Sequence, residues 1–366
     1  MCITLWLPNE LLAEIIQNVS DTDLASLCHV CKLFHALVLP SLLRNVVLHI
    51  RDSSIEITDA FCLGIIENPA RAESVLSLTL INGSLPLVPA KDLLIQSLKL
   101  MRNLESLSID DIHAFGVVSC LPSLTFPKLS SCFFIEAHPE IWSPHMIGAL
   151  GYDESWNLHA IEFLSRHPTI AQLRLRSAPC KSNIPAGTLL PEMRYFQGSS
   201  WSLALFSKRS LVALRTAWPV LMSSVGRNFD ELTSPNITSL YIEHLCTDYV
   251  SMAIRHLSAH MPRLEKIKLC CCNTKSSTGM DLELEETLFF IGLFLSRFER
   301  LAYVAFNYDL DSLGVDAGRG RRALETWPKL SQTLRGISIG DKAELKVGET
   351  WEGCSGEAFD AAAGFF

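Results

Sequence analysis

Two hydrophobic rhythms divide the chain. From Leu7 to Val46 the apolar residues fall at helical spacing. Leu7, Leu11, Leu12, Ile15, Ile16 and Val19 fill one face of a helix and spill onto a second. A first helix is therefore expected from Pro8, whose fixed φ suits the first helical position. Ser20 to Asp23 supply capping oxygens for a short second helix through Leu24 and Leu27. A third helix is expected from Cys28 to Leu39, striped by Val30, Leu33, Phe34, Leu37 and Val38 and stopped by Pro40. A unit of about 40 residues cannot bury so much apolar surface within itself. The surplus needs cover. Either the later chain supplies it, making the unit a helical cap on a larger core, or another protein does.

Beyond Val46 the rhythm changes. Residues 47–74 read as a connecting segment, with strand-like alternation at Val46-Val47-Leu48 and at Ile55-Glu56-Ile57. From Val75 a pattern of apolar-x-x-apolar-x-apolar recurs. Its copies begin at Val75, Leu104, Leu129, Ile170, Ile237, Leu264, Leu301 and Leu334, with weaker ones at Met193 and Leu211. Their middle positions are Leu78, Leu107, Cys132, Leu173, Leu240, Ile267, Val304 and Ile337, and Phe196 and Leu214 in the weaker copies. Helical stretches separate several copies, over Asp92–Met101, Leu158–Ser165, Asp248–Met261 and Glu283–Phe298. The last has an acidic start and a basic end, which suit the helix dipole. Residues 138–157 and 309–322 read as loops, and 346–366, rich in Gly and Ala, as a disordered tail.

The opening stretch carries a resemblance. Leu7-Pro8, Glu10, Ile15-Ile16, Val19, Asp23-Leu24, Leu27, Val30-Cys31, Phe34, Pro40, Leu42 and Arg44 follow one another as in an F-box, with Phe34 where the family often has Trp. The resemblance implies docking onto a Skp-type adaptor and, through it, onto a cullin. Leu7, Pro8, Leu11, Ile15, Leu24 and Val30 would be the adaptor-binding residues. The repeating body resembles an irregular leucine-rich-repeat array, from about Val75 to Ile339, in which neighbouring copies stack to continue one core. Most copies lack the Asn that usually follows the strand; Asn82 and Asn307 come nearest. An ordinary mixed domain of βαβ units is the alternative. The expected fold is thus α/β: an F-box at 1–46, the connecting segment at 47–74, an irregular solenoid of short parallel strands and helices at 75–345, and the tail at 346–366.

Composition narrows the function. With 48% hydrophobic residues among 366, the chain suits elements apolar on more than one face. Its densest apolar run, Leu288–Leu295, falls well short of the roughly 18 residues of a spanning helix. Pro8 and Glu10 break any secretory signal. A net charge of −8 argues against a nucleic-acid surface. A cytoplasmic or nuclear location is expected, with no membrane or nucleic-acid partner. The 12 cysteines then read as reduced thiols. Cys28-x-x-Cys31 has no second pair to complete a metal site, and no metal or cofactor is expected.

No nucleophile elbow, Walker loop or His-Glu-x-x-His motif is present. Gly318–Arg322 follows no convincing strand, and His256 and His260 lack a third ligand at suitable spacing. The expectation is a non-enzyme. What remains is a binding surface formed by residues between the apolar positions of the strands. Arg174, Arg176, Tyr241, Lys266, Lys268 and Tyr303 are its candidate client-binding residues, suited to an acidic or phosphorylated segment. The function expected is a substrate-recognition adaptor of a Skp–cullin–F-box ubiquitin ligase. The alternative is an F-box-bearing scaffold acting outside a ligase.

Overall fold

The computed structural model describes residues 7–50, 55–82, 91–110, 118–135, 154–175, 187–199, 203, 206, 209–217, 234, 236–246, 250–272, 284–307, 325–329, 331–340 and 342–365. They divide into two compact units, Met1–Arg176 with Cys180–Ser182, and Ser177–Pro179 with Asn183–Phe366. Among the described residues no helix is long and apolar enough to cross a membrane. The stretches expected as loops at 138–153 and 309–322 lie outside the described residues; residues 154–157 open a helix instead.

The first unit opens with α1 (Asn9–Ile16), α2 (Asp21–Leu27) and α3 (Lys32–Leu42). Pro8 is the cap rather than the first turn of α1: its ψ of 146° is extended, and its carbonyl accepts from Leu11 and Leu12 N–H. Ser20 caps α2 as expected, its Oγ accepting from Asp23 N–H and donating to the Asp23 carboxylate. Two expectations for α3 are corrected. It starts at Lys32, after a turn through Cys28–Val30, because Cys31 is extended. Nor does Pro40 stop it; the helix runs on to Leu42 with the proline inside. Proline removes one N–H but not the helical φ, so a single missing bond near the end is tolerated.

Next come β1 (Asn45–Ile50), α4 (Ile55–Glu67), α5 (Pro69–Ala72) and β2 (Ser77–Asn82). The segment expected merely to connect is therefore structured. Ile55-Glu56-Ile57 opens a helix, not a strand: Thr58, Cys62 and Ile65 are its buried positions, at helical spacing. Continuing the unit are α6 (Lys91–Leu100), β3 (Ser106–Asp110), β4 (Ser131–Ile135), α7 (Glu154–Ser165) and β5 (Gln172–Leu175). β1 to β5 pair in chain order, all parallel.

The recurring pattern sets the register. Val46, Leu78, Leu107, Cys132 and Leu173 are paired neighbours on successive strands. One backbone link repeats with them: Ser77, Ser106, Ser131 and Gln172 N–H donate to the carbonyls of Arg44, Leu76, Glu105 and Ser130. The first apolar residue of each copy (Val75, Leu104, Leu129, Ile170) is fully buried beneath the strand. β1 thus belongs to the same array, which starts upstream of the boundary expected at 75.

One histidine is held inside this unit. His167 Nε2 accepts from Phe126 N–H at 2.9 Å, so Nδ1 carries the proton and donates to the Phe163 carbonyl at 2.7 Å. Burial pushes its pKa below the ordinary histidine value, reinforced by the Arg166 charge against the opposing Phe163 bond. The unfolded chain then takes up this proton more readily than the fold. Stability is full above about 6.5, is lost as pH falls below that toward the depressed folded value, and levels off beneath it. The urea midpoint of this chain should fall between pH 7.5 and pH 5.5 by more than that of His167→Gln, which keeps an acceptor for Phe126 but cannot titrate. Equal falls in both would show that His167 is not the group responsible.

The second unit carries β6 (Tyr195–Ser199), β7 (Ala213–Ala217), β8 (Ser239–Cys246), α8 (Val250–His260), β9 (Lys266–Cys272), α9 (Leu284–Leu295), β10 (Tyr303–Asn307) and β11 (Gly336–Ile339). β6 to β11 are again parallel, with Phe196, Leu214, Leu240, Ile267, Val304 and Ile337 in one register line. The two weaker copies are thus true members of the series. The segment expected as a tail is folded where it is described. β12 (Lys342–Val347) and β13 (Thr350–Cys354) form an antiparallel hairpin on β11, and α10 (Gly356–Ala363) follows.

Candidate functional site

Two surfaces emerge, one in each unit. The helical module has a small core of its own: Ile16, Leu24 and Val38, lined by Val19, Leu27, Cys28, Phe34, Leu37 and Leu42. That core exhausts one side of the helices only. Leu7, Leu11, Ile15 and Val30 are 45%, 46%, 54% and 57% exposed, and Pro8 is exposed with them. Leu11 and Ile15 sit one turn apart on α1. Full burial of such a side chain is worth about 1.5–3 kcal/mol, and about half of that remains to be gained at each of these half-exposed positions, a reserve for a partner. Leu24, expected among the adaptor-binding residues, is instead 4% exposed and belongs to the module's core. Leu33, on α3, is 36% exposed. Cys28 and Cys31 flank the turn between α2 and α3, and burial raises the Cys28 thiol pKa, which favours the protonated form over a metal-binding thiolate.

Of the six residues proposed for client binding, Arg176 lies outside the described residues and Arg174 stands on β5 of the first unit. The other four converge in the second unit. Tyr241 and Lys268 are register partners on β8 and β9, and Lys266 pairs with Tyr303 on β10. Arg215, on β7 beside Tyr241, completes the cluster. Its guanidinium lies 4.4 Å from the Tyr241 ring centroid, and Lys268 Nζ lies 5.4 Å from the same centroid. One ring is thus contacted by two cations. Glu243 pairs with Arg215 at 2.5 Å. Burial alone would lower the Arg215 pKa, but the Glu243 bond and charge overcome it, and the pKa is raised. Tyr241 Oη sits 3.2 Å from Cys270 Sγ. Burial first, and that contact second, push the phenol above its ordinary value, so it stays protonated. Arg215 was legible in principle: it follows the middle apolar residue of a weaker copy, as Tyr241 and Lys268 do in stronger ones.

This face is not bare. Helix α10 lies on it through Phe359 and Ala363, which pack with Ala305 and Ala343 and against Tyr303 and Leu345. Phe359 and Tyr303 meet edge to face at 6.2 Å. Asp360 pairs with Lys268 at 2.6 Å, leaving the lysine side chain 15% exposed. Lys268 also lies 5.6 Å from the Phe365 ring centroid. Gly336 makes the approach of Phe359 possible: a Cβ there would lie 2.7 Å from Tyr303 Cδ1, 2.9 Å from Phe359 Cε2 and 3.0 Å from Leu345 Cδ2.

Local signals build α10. Ser355 Oγ accepts from Ala358 N–H at its start. Gly364, at φ +61°, ends it. Phe365 N–H donates to the Asp360 carbonyl and Gly364 N–H to that of Ala361, a Schellman pair clasped by the stacked Phe359 and Phe365 rings. Gly364→Ala would force a Cβ into the left-handed region and toward Lys266 Nζ, 3.1 Å away. It should loosen α10 by roughly 1–2 kcal/mol, seen as faster amide exchange over 356–363 with β9 unaffected. Unchanged exchange there would mean the cap is not holding the helix.

Residues 5–49 match the F-box-like family. The match covers the helical module with its exposed apolar residues and most of β1, and leaves the rest of the strand array outside it. The chain therefore carries an F-box-like domain, the mark of a protein-interaction adaptor. No curated protein matches the chain.

Proposed function

We propose that this protein is a substrate-recognition subunit of a Skp–cullin–F-box ubiquitin ligase. The observation that carries it is the exposure of Leu7, Leu11, Ile15 and Val30 on a module that has a core of its own. In this reading these exposed residues, with Pro8, seat a Skp-type adaptor, which brings a cullin. The strand array, read as degenerate leucine-rich repeats, binds a client protein through its polar face. The chain performs no bond chemistry and needs no metal or cofactor. It raises the local concentration of client near the ubiquitin-conjugating enzyme. It works in the cytoplasm or nucleus.

The first test is direct: the purified chain and a purified Skp-type adaptor are mixed and the complex is weighed by calorimetry and light scattering. A one-to-one complex is expected; a folded chain that ignores the adaptor would end the proposal. A scaffold acting outside a ligase is the other reading, and the same exposed residues favour it equally. Reconstitution with cullin and conjugating enzyme separates them. Ubiquitin transfer to protein held by this chain marks a ligase subunit, and adaptor binding without transfer marks a scaffold.

A further inference from the structure

The residues that would recognise a client in the second unit are partly occupied by the chain's own segment 355–365. That segment has the form of a ligand. It is a short helix with a cap at each end, presenting an aromatic residue and a carboxylate side by side, Phe359 and Asp360. The face beneath it has the form of a receptor. Gly336 opens a notch walled by Tyr303 and Leu345 for the aromatic ring. Lys268 receives the carboxylate and is steadied by Tyr241. Lys266, half-buried next to it, makes no ion pair among the described residues.

We propose that the face formed by Tyr241, Lys266, Lys268, Tyr303 and Gly336 is a docking site for a short helical peptide in which an aromatic residue is followed directly by an acidic one. In this view Gly356–Phe365 is a displaceable stand-in for that peptide.

Three observations favour a stand-in over a fixed part of the core. Helix α10 has eight residues, too few to be stable without its docking surface. It fully buries only Phe359 and Ala363, while Glu357, Ala358, Ala361 and Ala362 face solvent. It also follows an antiparallel hairpin that already pairs with β11, so β6–β11 keep their neighbours without it. The charge logic fits as well. On a chain of net charge −8, Lys266 and Lys268 stand two residues apart on the same face of β9. A partner with two adjacent acidic groups would satisfy both, whereas Asp360 satisfies one. Such a partner would gain a charge-assisted bond that the internal segment lacks.

The inference rests on the client-binding reading above and refines it by naming the peptide class. Its test uses a fluorescent synthetic peptide of residues 355–366 as the probe. Three proteins are compared: the full chain, the chain ending at Cys354, and that shortened chain carrying Lys268→Glu. The shortened chain should bind the peptide, the full chain at least tenfold more weakly because its site is filled, and the Lys268→Glu form not measurably. A peptide carrying Asp360→Lys should restore binding to Lys268→Glu. A folded shortened chain that ignores the peptide, or one that binds it regardless of Lys268, overturns the proposal.

If the shortened chain does not fold, amide exchange on the full chain decides instead. Exchange over 356–363 should run at least tenfold faster than over β9 and rise further in excess peptide. Protection equal to that of β9 and indifferent to peptide rejects the stand-in. Adaptor binding, measured on the same samples, keeps the two readings apart: its persistence while peptide binding fails removes the docking site alone.

Discussion

Replacing Leu11 and Ile15 together by aspartate is expected to weaken adaptor binding by on the order of a thousandfold, with the melting temperature within a few degrees of the parent. The two side chains lie on one face of α1, about half exposed, and neither belongs to the Ile16–Leu24–Val38 core. Aspartate there costs the free module little, since both positions meet water. In a complex each carboxylate would be buried without a partner, which is costly. Truncated anchors in such interfaces lose about 2 kcal/mol or more apiece, and two of them give roughly the factor stated. Calorimetric titration with the adaptor reads it. Leu24→Ala should behave in the opposite way. Its side chain is buried in the module, so the substitution should cost about 2–5 kcal/mol of stability, and any loss of adaptor binding should follow unfolding of the module. A double aspartate form that still binds as the parent does would move the interface away from α1.

The second large effect is expected at Phe163, deep in the first unit. Phe163→Ala should cost about 3–5 kcal/mol of unfolding free energy, read from urea denaturation. The ring is fully buried and meets Phe126 at 6.2 Å and Phe134 at 6.1 Å, both edge to face, and His167 at 4.2 Å. Such aromatic contacts add about 0.5–1.5 kcal/mol beyond burial. The cavity would also free the His167 ring, whose two hydrogen bonds tie α7 to the chain before β4. The pH dependence of stability should therefore shrink in Phe163→Ala. A loss under about 1 kcal/mol would mean that neighbouring rings collapse into the space, against the expectation for a close-packed core.

Much of this molecule was legible in the chain alone. The middle apolar residues of the recurring pattern, Leu78 through Ile337, name residues that the fold sets side by side within each unit. They are legible because a parallel strand at fixed register buries the same positions each time, and only apolar residues survive there. The apolar surplus of the opening helices was legible for a related reason: three short helices cannot use that many apolar residues. The reading failed where local rules compete. Ile55-Glu56-Ile57 alternates like a strand, but the longer helical period through Thr58, Cys62 and Ile65 prevails. Pro40 looked like a stop and was absorbed near a helix end.

Residues 346–366 mark the boundary most clearly. Their Gly and Ala content hid a helix whose caps, Ser355 and Gly364, stand nine residues apart in plain view. Sequence by itself determined the positions that pair along the recurring parallel strands and the apolar surplus of the helical module, because periodicity is a local property. Only the tertiary structure decided that Leu24 faces inward, that Arg215 joins Tyr241 and Lys268, and that Phe359 and Asp360 lie over residues that otherwise read as open. Those depend on contacts between different elements, from adjacent helices for Leu24 to segments 92 residues apart for Lys268 and Asp360. No pattern within one segment records which distant surface will cover it.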